Sequence, residues 1–209
     1  MRRLLLVRHG QSRATVDGVV GGARGCRGLS DLGRSQAAGL AARWSAAIGP
    51  ADRLVSSALP RARETAELLR AALGSPPVAV DAALNEIDPG EGDGLGWAEW
   101  ERRYGWFDLA AEPDRPLSPG GESWAAFGAR AGAALVRLAG MDGTTVAVCH
   151  GGVIERSVSL AFGFPPSTGP GALVVTPPPA SVTEWRVEGD GAAPRWRLVR
   201  YGDTVVGTR

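Results

Sequence analysis

The sequence predicts an α/β fold with a mostly parallel central sheet that is covered by helices on both faces. Short apolar runs alternate along the chain with longer segments of helical periodicity, and turn signals separate them. The chain has 209 residues, of which 44% are hydrophobic and 22% charged, so it can bury a core of ordinary size. Since no linker or internal repeat divides the sequence, we expect a single domain over residues 1–209.

Four short apolar runs are predicted strands. The first of them, RLLLVR, is almost entirely apolar inside and ends in a turn signal, which is typical of a buried strand. The four runs cover residues 3–8, 53–56, 78–80 and 144–149. Near the C terminus, residues 181–201 alternate between apolar and polar positions around Gly189-Asp190-Gly191, which predicts an edge hairpin.

Helices are predicted between these strands. One begins at Ser30 and ends near Gly49-Pro50. Another runs from Leu59 to Leu73, with Pro60 in its first turn, where the missing N–H costs nothing, and Gly74 as its stop. Three more are expected, at residues 97–104, 122–139 and 152–162.

The basic residues restrict the possible chemistry. All 23 of them are arginine, because the sequence contains no lysine. This excludes a lysine Schiff base, a pyridoxal phosphate anchor and a Walker-type phosphate loop. The sequence contains only two histidines, His9 and His150.

The remaining bulk properties set expectations about cofactors and partners. Cys26 and Cys149 form neither a CxxC motif nor a metal-ligand pattern. We expect neither a metal nor a cofactor. The formal net charge of +1 favours neither a nucleic acid nor an anionic membrane as a partner. No stretch approaches the roughly 18 apolar residues of a membrane span. We expect a cytoplasmic monomer or homodimer.

Unusual residues cluster at three predicted strand-to-helix junctions, at residues 8–12, 56–65 and 149–152. In an open parallel sheet, ligands bind outside the carboxyl ends of the strands, where such junctions gather. Both histidines are therefore expected on the same rim, and each is followed by glycine, which lets the backbone turn and approach a ligand closely.

A phosphate ligand suits these residue types. Arginines from separate loops can hold a dianion in a fixed pose, and helix N-termini add N–H donors. A neutral imidazole is an available nucleophile near pH 7, and a second, protonated histidine can stabilise the transferring phosphoryl group. The sequence thus points to phosphoryl transfer onto histidine.

The sequence resembles the histidine phosphatase superfamily, which includes the cofactor-dependent phosphoglycerate mutases. The resemblance rests on an ordered set of segments spread over most of the chain. They are Leu6 to Ser12, Leu29 to Ala37, Ser56-Ser57 with Arg63 to Ala66, Leu84-Asn85-Glu86, Gly120 to Ser123, and Val148 to Gly152. It implies a three-layer α/β/α sandwich whose chemistry requires no metal.

The resemblance also implies roles for individual residues. His9 would be the phosphorylated nucleophile, and Arg8, Arg63 and His150 would complete the phosphate pocket. Glu86 would protonate the leaving oxygen and later activate water.

Three further assignments are less direct. Arg61 and Arg63 are two positions apart on a helix, so only one should face the pocket, and the resemblance selects Arg63. Gln11 and Ser12 are candidate donors to the phosphate, with a capping or turn role as the alternative.

Residues 87–121 form a predicted long loop rich in glycine, proline and tryptophan. Four of the seven tryptophans lie between residues 97 and 124. They either pack the loop on the body or form a lid against the non-phosphate part of a substrate. The sequence leaves both interpretations open.

These expectations combine into one function, a phosphomonoester hydrolase that acts through a phosphohistidine on a small phosphorylated metabolite. Neutral His9 and protonated Glu86 together predict an acidic to neutral pH optimum. The alternatives are a phosphoglycerate mutase and a non-catalytic phosphate-binding module on the same fold. The few arginines in residues 87–121 favour hydrolysis over the mutase.

Overall fold

A single six-stranded sheet forms the centre of the structure, a computed structural model that describes residues 2–168, 174–189 and 194–204. The strand order is β3-β2-β4-β1-β5-β6. The strands are β1 (Arg2–Arg8), β2 (Arg53–Ser56), β3 (Val78–Val80), β4 (Gly143–Cys149), β5 (Val182–Glu188) and β6 (Arg195–Asp203). The first four strands in this order are parallel, while β5 and β6 run antiparallel to their neighbours.

Six α-helices accompany the sheet in the described ranges. They are α1 (Arg13–Asp17), α2 (Asp31–Ala47), α3 (Pro60–Arg70), α4 (Trp97–Tyr104), α5 (Trp124–Ala139) and α6 (Gly151–Ala161). Short 3₁₀ turns occupy Ala71–Leu73, Ala82–Leu84 and Gly90–Gly92. Local chemistry sets the helix starts: the hydroxyl of Ser30 accepts a hydrogen bond from the Gly33 N–H, and Pro60 stands at the first position of α3.

Side chains of alternate residues on β1 point into two separate cores. Leu4 and Leu6 pack with residues of α5 and α6 on one face of the sheet. Leu5 and Val7 pack with residues of α2 and α3 on the other face. Because successive strand residues point to opposite faces, an apolar strand requires helices on both sides. The result is a helix–sheet–helix arrangement.

The register between β1 and β4 positions the candidate site. The two strands are adjacent and parallel, and Arg8 stands opposite Cys149. The residues that follow them, His9 and His150, therefore leave the sheet side by side at its carboxyl edge.

Most predicted elements occur with small shifts at their ends. The four predicted parallel strands are present, and α4 has the bounds that the sequence predicts. The short helix α1 was not anticipated. Strand β5 pairs with β1 as well as with β6, so of these two strands β6 alone lies at an edge of the sheet. Residues 190–193 between them lie outside the described residues. No helix in the described ranges is long and apolar enough to cross a membrane.

Candidate active site

His9 follows β1 directly, and only 8% of it is exposed. Its Nδ1 lies 2.6 Å from the carbonyl oxygen of Gly10, an acceptor, so Nδ1 carries the ring proton. The other nitrogen, Nε2, keeps its lone pair and accepts a hydrogen bond from Nε of Arg61 at 3.1 Å. Nε2 is therefore the ring nitrogen available for attack on an electrophile.

The loop after His9 depends on a missing side chain at Gly10. A Cβ at this position would lie 2.3 Å from the carbonyl oxygen of Gly33, which belongs to the first turn of α2. Glycine thus lets the loop pack directly against that helix, and the packing holds the backbone that carries His9.

His150 is the N-cap residue of α6 and is fully buried. The centroids of its ring and that of His9 are 5.0 Å apart, with the rings at 61°. Its Nε2 lies 2.7 Å from the hydroxyl oxygen of Ser57. That hydroxyl donates to Oδ1 of Asn85 at 2.9 Å, so it accepts the proton of Nε2. Nδ1 of His150 is buried and has no hydrogen-bond partner in the described part of the chain.

The environment keeps both imidazoles neutral. Burial is the largest cause that lowers the pKa of His9 and of His150 well below 6.5, and the nearby charge of Arg61 lowers both further. A neutral ring suits a nucleophile at His9. The resting state of His150, however, differs from the protonated second histidine that the sequence predicts.

Arg8, the last residue of β1, lines the same cavity as His9. Its Nη1 donates to the carbonyl oxygen of Pro177, while its Nε is buried without a hydrogen-bond partner among the described residues. Burial lowers the pKa of Arg8, yet an arginine stays charged at any ordinary pH. The Nε–H therefore lacks an acceptor, which an anion bound beside it would supply.

The predicted pocket position of Arg63 is wrong, and Arg61 occupies it instead. Arg61 is 5% exposed and donates from Nε to His9 and from Nη1 to the carbonyl oxygen of Gly21 at 2.6 Å. Arg63 is exposed and lies on a different surface, beside Arg34 and Glu67. Two residues along a helix turn the side chain by about 200°, so only Arg61 faces the imidazole.

Glu86 reaches the cavity from the loop after the 3₁₀ turn Ala82–Leu84. Its carboxylate accepts hydrogen bonds from the N–H of Gly152 at 3.1 Å and of Ile87 at 3.2 Å. A Cβ at residue 152 would lie 2.4 Å from Oε1, so glycine is required there for the carboxylate to sit against the start of α6. The structure brings Glu86 to the same cavity as His9, as predicted by the sequence.

Gln11 and Ser12 have structural partners. The side-chain oxygen of Gln11 accepts a hydrogen bond from the hydroxyl of Ser30 at 2.7 Å, and Gln11 does not line the cavity. Ser12 does line the cavity, but its hydroxyl caps α1 by accepting from the N–H of Thr15. The capping alternative therefore describes Ser12, and neither side chain is placed as a dedicated phosphate ligand.

The cavity has a volume of about 430 Å³. Its charged and titratable wall consists of Arg8, His9, Arg61 and Glu86, and the rest is lined by Ser12, Ala14, Thr15, Gly18, Val19, Val20, Gly21, Ile87, Pro89, Trp97 and Leu117. Among the residues that the structure describes, no group of three or more His, Cys, Asp or Glu side chains could hold a metal ion. Two guanidinium groups beside a neutral imidazole are suited to a tetrahedral dianion.

A sequence model of the histidine phosphatase superfamily (branch 1) matches residues 4–204. The chain belongs to this superfamily. The family resemblance that the sequence predicts is thereby confirmed, and the α/β/α architecture agrees with it.

Relatives within the histidine phosphatases include both hydrolases and mutases. A glucosyl-3-phosphoglycerate phosphatase from Mycolicibacterium vanbaalenii is 33% identical over 175 residues, which cover 79% of this chain and 76% of the relative. A 2,3-bisphosphoglycerate-dependent phosphoglycerate mutase from Brucella ovis is 36% identical over 143 residues, which cover 62% of this chain and 64% of the mutase.

Solved structures support the fold. Mycobacterial glucosyl-3-phosphoglycerate phosphatase in complex with VO3 superposes with a TM-score of 0.78 at 30% identity, over 97% of this chain and 100% of that chain. A putative α-ribazole-5'-P phosphatase from Escherichia coli K-12 has a TM-score of 0.81 at 21% identity, over 100% of this chain and 99% of that chain, and shows the fold alone. The predicted fold class is confirmed.

The structure adds site residues that the sequence analysis missed. Arg61 was set aside although it stands in the first turn of its helix, close to the strand end, and that position was a usable signal. Ser57 and Asn85, which hold His150, lie within segments already singled out by the resemblance. Their pairing depends on two loops distant in sequence.

Proposed function

We propose that this chain is a phosphomonoester hydrolase in which Nε2 of His9 takes the phosphoryl group from the substrate. The observation that carries the proposal is the convergence of a neutral His9, the half-buried Arg8, the buried Arg61 and the Glu86 carboxyl group on one cavity. The groups come from three segments at the carboxyl edge of the sheet: the end of β1, the first turn of α3 and the loop after Leu84.

In the first step, the guanidinium groups of Arg8 and Arg61 bind the substrate phosphate. Arg61 exchanges its hydrogen bond to Nε2 for one to a phosphate oxygen, which frees the lone pair. Nε2 attacks phosphorus as the bond to the leaving oxygen breaks, and a protonated Glu86 gives its proton to that oxygen. The hydrogen bond from Nδ1–H of His9 to the carbonyl oxygen of Gly10 stabilises the positively charged imidazole that forms.

In the second step, Glu86 takes a proton from water, and the water oxygen attacks phosphorus. The bond between phosphorus and Nε2 breaks, which releases phosphate and restores neutral His9. The unpartnered Nδ1 of His150 supports a further role, in which this ring, once protonated, donates a hydrogen bond to a phosphoryl oxygen.

The test is phosphate release from 4-nitrophenyl phosphate, with the His9→Ala protein as blank. We expect turnover by the wild type and a loss of more than about a thousandfold in the variant. A rapid quench with labelled substrate should trap label on the wild-type protein in an acid-labile form. A protein that binds phosphate without turnover would instead be a non-catalytic module.

A phosphoglycerate mutase is the second candidate, because the Brucella ovis mutase is 36% identical over 143 residues. Against it, the three arginines of residues 87–121 are engaged outside the cavity: Arg102 and Arg103 pair with Glu99, and Arg115 pairs with Glu112. Equilibration of 3-phosphoglycerate with 2-phosphoglycerate in the presence of the bisphosphorylated primer would favour the mutase.

The pH dependence tests the assigned proton positions. Because the pKa of His9 lies well below 6.5, the neutral nucleophile persists into mildly acidic solution. Proton donation to the leaving oxygen becomes less favourable as the pH rises, so activity should fall at alkaline pH. A plot of log kcat/KM between pH 4 and 9.5 should have its maximum on the acidic to neutral side, and a rate that still rises past pH 9 would contradict the assignment.

We further propose that residues 1–209 form one domain that acts in the cytoplasm on a small phosphorylated metabolite, as a monomer or homodimer and without a nucleic acid or membrane partner. Both cysteines, Cys26 and Cys149, are free and buried, which suits a reducing compartment. Burial also raises the pKa of the Cys149 thiol, which keeps the thiol protonated and unreactive.

A further inference from the structure

The cavity divides into a charged end and an apolar end. Its charged and titratable groups, Arg8, His9, Arg61 and Glu86, all serve the reaction proposed above. The other described lining residues carry no positive charge. A substrate whose phosphate already occupies the two arginines would therefore find no cation in this wall for a carboxylate or a second phosphate.

The two hydroxyl groups in the lining do not change this division. Those of Ser12 and Thr15 lie 2.9 Å apart and hydrogen-bond to each other, and Ser12 also accepts from the N–H of Thr15. Their hydrogen-bonding capacity is thus partly used within the wall, and neither contributes charge.

Trp97 forms the largest apolar surface in the cavity wall and is held in place from three sides. Its backbone N–H donates to the carbonyl oxygen of Gly18 at 3.2 Å. Its ring stacks on Trp106 at a centroid distance of 5.9 Å and an angle of 18°, and meets Trp100 at 6.1 Å. Trp100 is only 3% exposed, so it anchors this group of rings to the body.

In spite of these contacts, 46% of Trp97 remains exposed. A rigid aromatic side chain that faces a cavity loses little conformational entropy when it binds a ligand. Such a surface prefers a flat apolar face, either the C–H face of a sugar or the face of an aryl ring.

On the basis of the proposed function, we infer that this site takes phosphomonoesters whose leaving group is an uncharged ring, a sugar or an aryl ring, that packs on Trp97. The phosphate sits on Arg8 and Arg61, and the ring lies along the apolar wall that includes Val20 and Leu117. Compact acidic esters are poor substrates, because their carboxylate enters an apolar wall unpaired.

The experiment compares kcat/KM for phosphate release from four esters. Phenyl phosphate and glucose 6-phosphate carry an aryl and a sugar ring, glycerol 3-phosphate is neutral without a ring, and 3-phosphoglycerate is compact and acidic. We expect at least one ring ester to exceed 3-phosphoglycerate by tenfold or more, and the ratio between the two ring esters distinguishes an aryl from a sugar substrate.

Variants of Trp97 separate substrate contact from a general structural role. Trp97→Ala should lower kcat/KM for the preferred ring ester by about tenfold and for glycerol 3-phosphate by less than about threefold. Trp97→Phe should retain most of the wild-type kcat/KM for the preferred ring ester. Phe162→Ala, which removes an aromatic side chain that is 70% exposed outside this cavity, is the matched control and should leave all four values within about twofold. If Trp97→Ala does not fold, Trp97→Leu replaces it.

Two results would overturn the inference alone: an equal loss on ring and ringless esters in the Trp97 variants, or 3-phosphoglycerate as the best of the four esters. The absence of release above the His9→Ala blank for every ester would overturn the proposed hydrolase as well, so the two failures are distinguishable.

Discussion

Arg61 and Arg63 stand two positions apart on one helix, yet they lie in different environments. Arg61 is buried and contacts His9, whereas Arg63 is exposed beside Glu67. The difference follows from helix geometry together with the direction in which α3 leaves β2. Only the second factor is tertiary, and it decides which arginine reaches the site.

Substitution of the two arginines tests this placement. Arg61→Ala should lower kcat/KM for 4-nitrophenyl phosphate by a hundredfold to about a thousandfold, because it removes a buried cation from the phosphate and from Nε2 of His9. Arg63→Ala is the matched control from the same helix and should stay within about twofold. A larger loss of kcat/KM in Arg63→Ala than in Arg61→Ala would contradict the assignment of Arg61 to the phosphate site.

The lowered pKa of His9 also makes a prediction about stability. Below pH 6.5 the unfolded chain binds a proton at this residue that the folded chain does not, so stability present above pH 6.5 is lost as the pH falls toward the folded pKa. Over that window, the proton missing from folded His9 should lower the free energy of unfolding by up to about 1 kcal/mol per pH unit.

The check is the free energy of unfolding from urea titrations between pH 6.5 and 5. The wild type should lose stability more steeply than His9→Asn, which cannot titrate, by about this slope. Identical slopes in the two proteins would show that His9 is not held neutral by the fold.

At the scale of elements, one carboxylate joins two loops beside the site. Asp93 accepts hydrogen bonds from the backbone N–H groups of Gly22 at 2.8 Å, Arg24 at 2.6 Å and Gly25 at 2.9 Å. The loop that it holds begins at Gly21, whose carbonyl oxygen accepts the hydrogen bond from Nη1 of Arg61. Asp93 is therefore a positioning residue for Arg61, acting through the backbone of residues 21–25.

Asp93→Ala should destabilise the protein by about 3 kcal/mol, since three N–H groups lose a charged acceptor. It should also lower kcat by about tenfold with a smaller change in KM, because Arg61 is less well placed for the transition state. Arg24→Ala removes the neighbouring exposed guanidinium, which lies 3.9 Å from Asp93, and serves as the control. A loss of stability with kcat unchanged would restrict Asp93 to a structural role.

The elements differ in how far the sequence predicted them. Strands β1 and β2 and helix α4 were predicted closely because their apolar patterns and turn signals are local. Helix α1 has only five residues and one buried side chain, Ala14, so it presents no periodicity to detect. Its existence depends on the cap at Ser12 and on the hydrogen bond that the N–H of Trp97, at the start of α4, donates to its C-cap residue Gly18.

At the scale of the whole molecule, a buried charge joins the antiparallel strands to the parallel sheet. Glu184 on β5 is fully buried and pairs with Arg3 on β1 and with Arg200 on β6, each at 3.0 Å. Arg3 lies near the start of β1, whereas His9 follows its end. The ion pair of Arg3 is therefore at the opposite end of this strand from the site. Removal of Glu184 leaves the two arginines close together without their counter-ion.

Glu184→Ala should therefore lower the free energy of unfolding by about 3 kcal/mol, measured by urea denaturation at pH 7. We expect kcat and KM, measured where the variant is fully folded, to change less than about twofold, since the network does not touch the cavity. Glu188→Ala, on the same strand with an exposed partner in Arg197, is the control and should cost less than about 1 kcal/mol. Equal costs for the two variants would contradict a stabilising role of burial.

The sequence by itself determined the alternation of strands and helices, the two histidines at strand ends and the loop that carries Glu86. These are local patterns, because apolar periodicity and turn residues act over a few positions. Only the tertiary structure decided that Arg61 rather than Arg63 faces His9, that His150 rests neutral, and that Trp97 opens into the cavity. Each of these depends on distances between loops far apart in the chain, on burial and on the charges that burial brings together, and no local pattern contains that information.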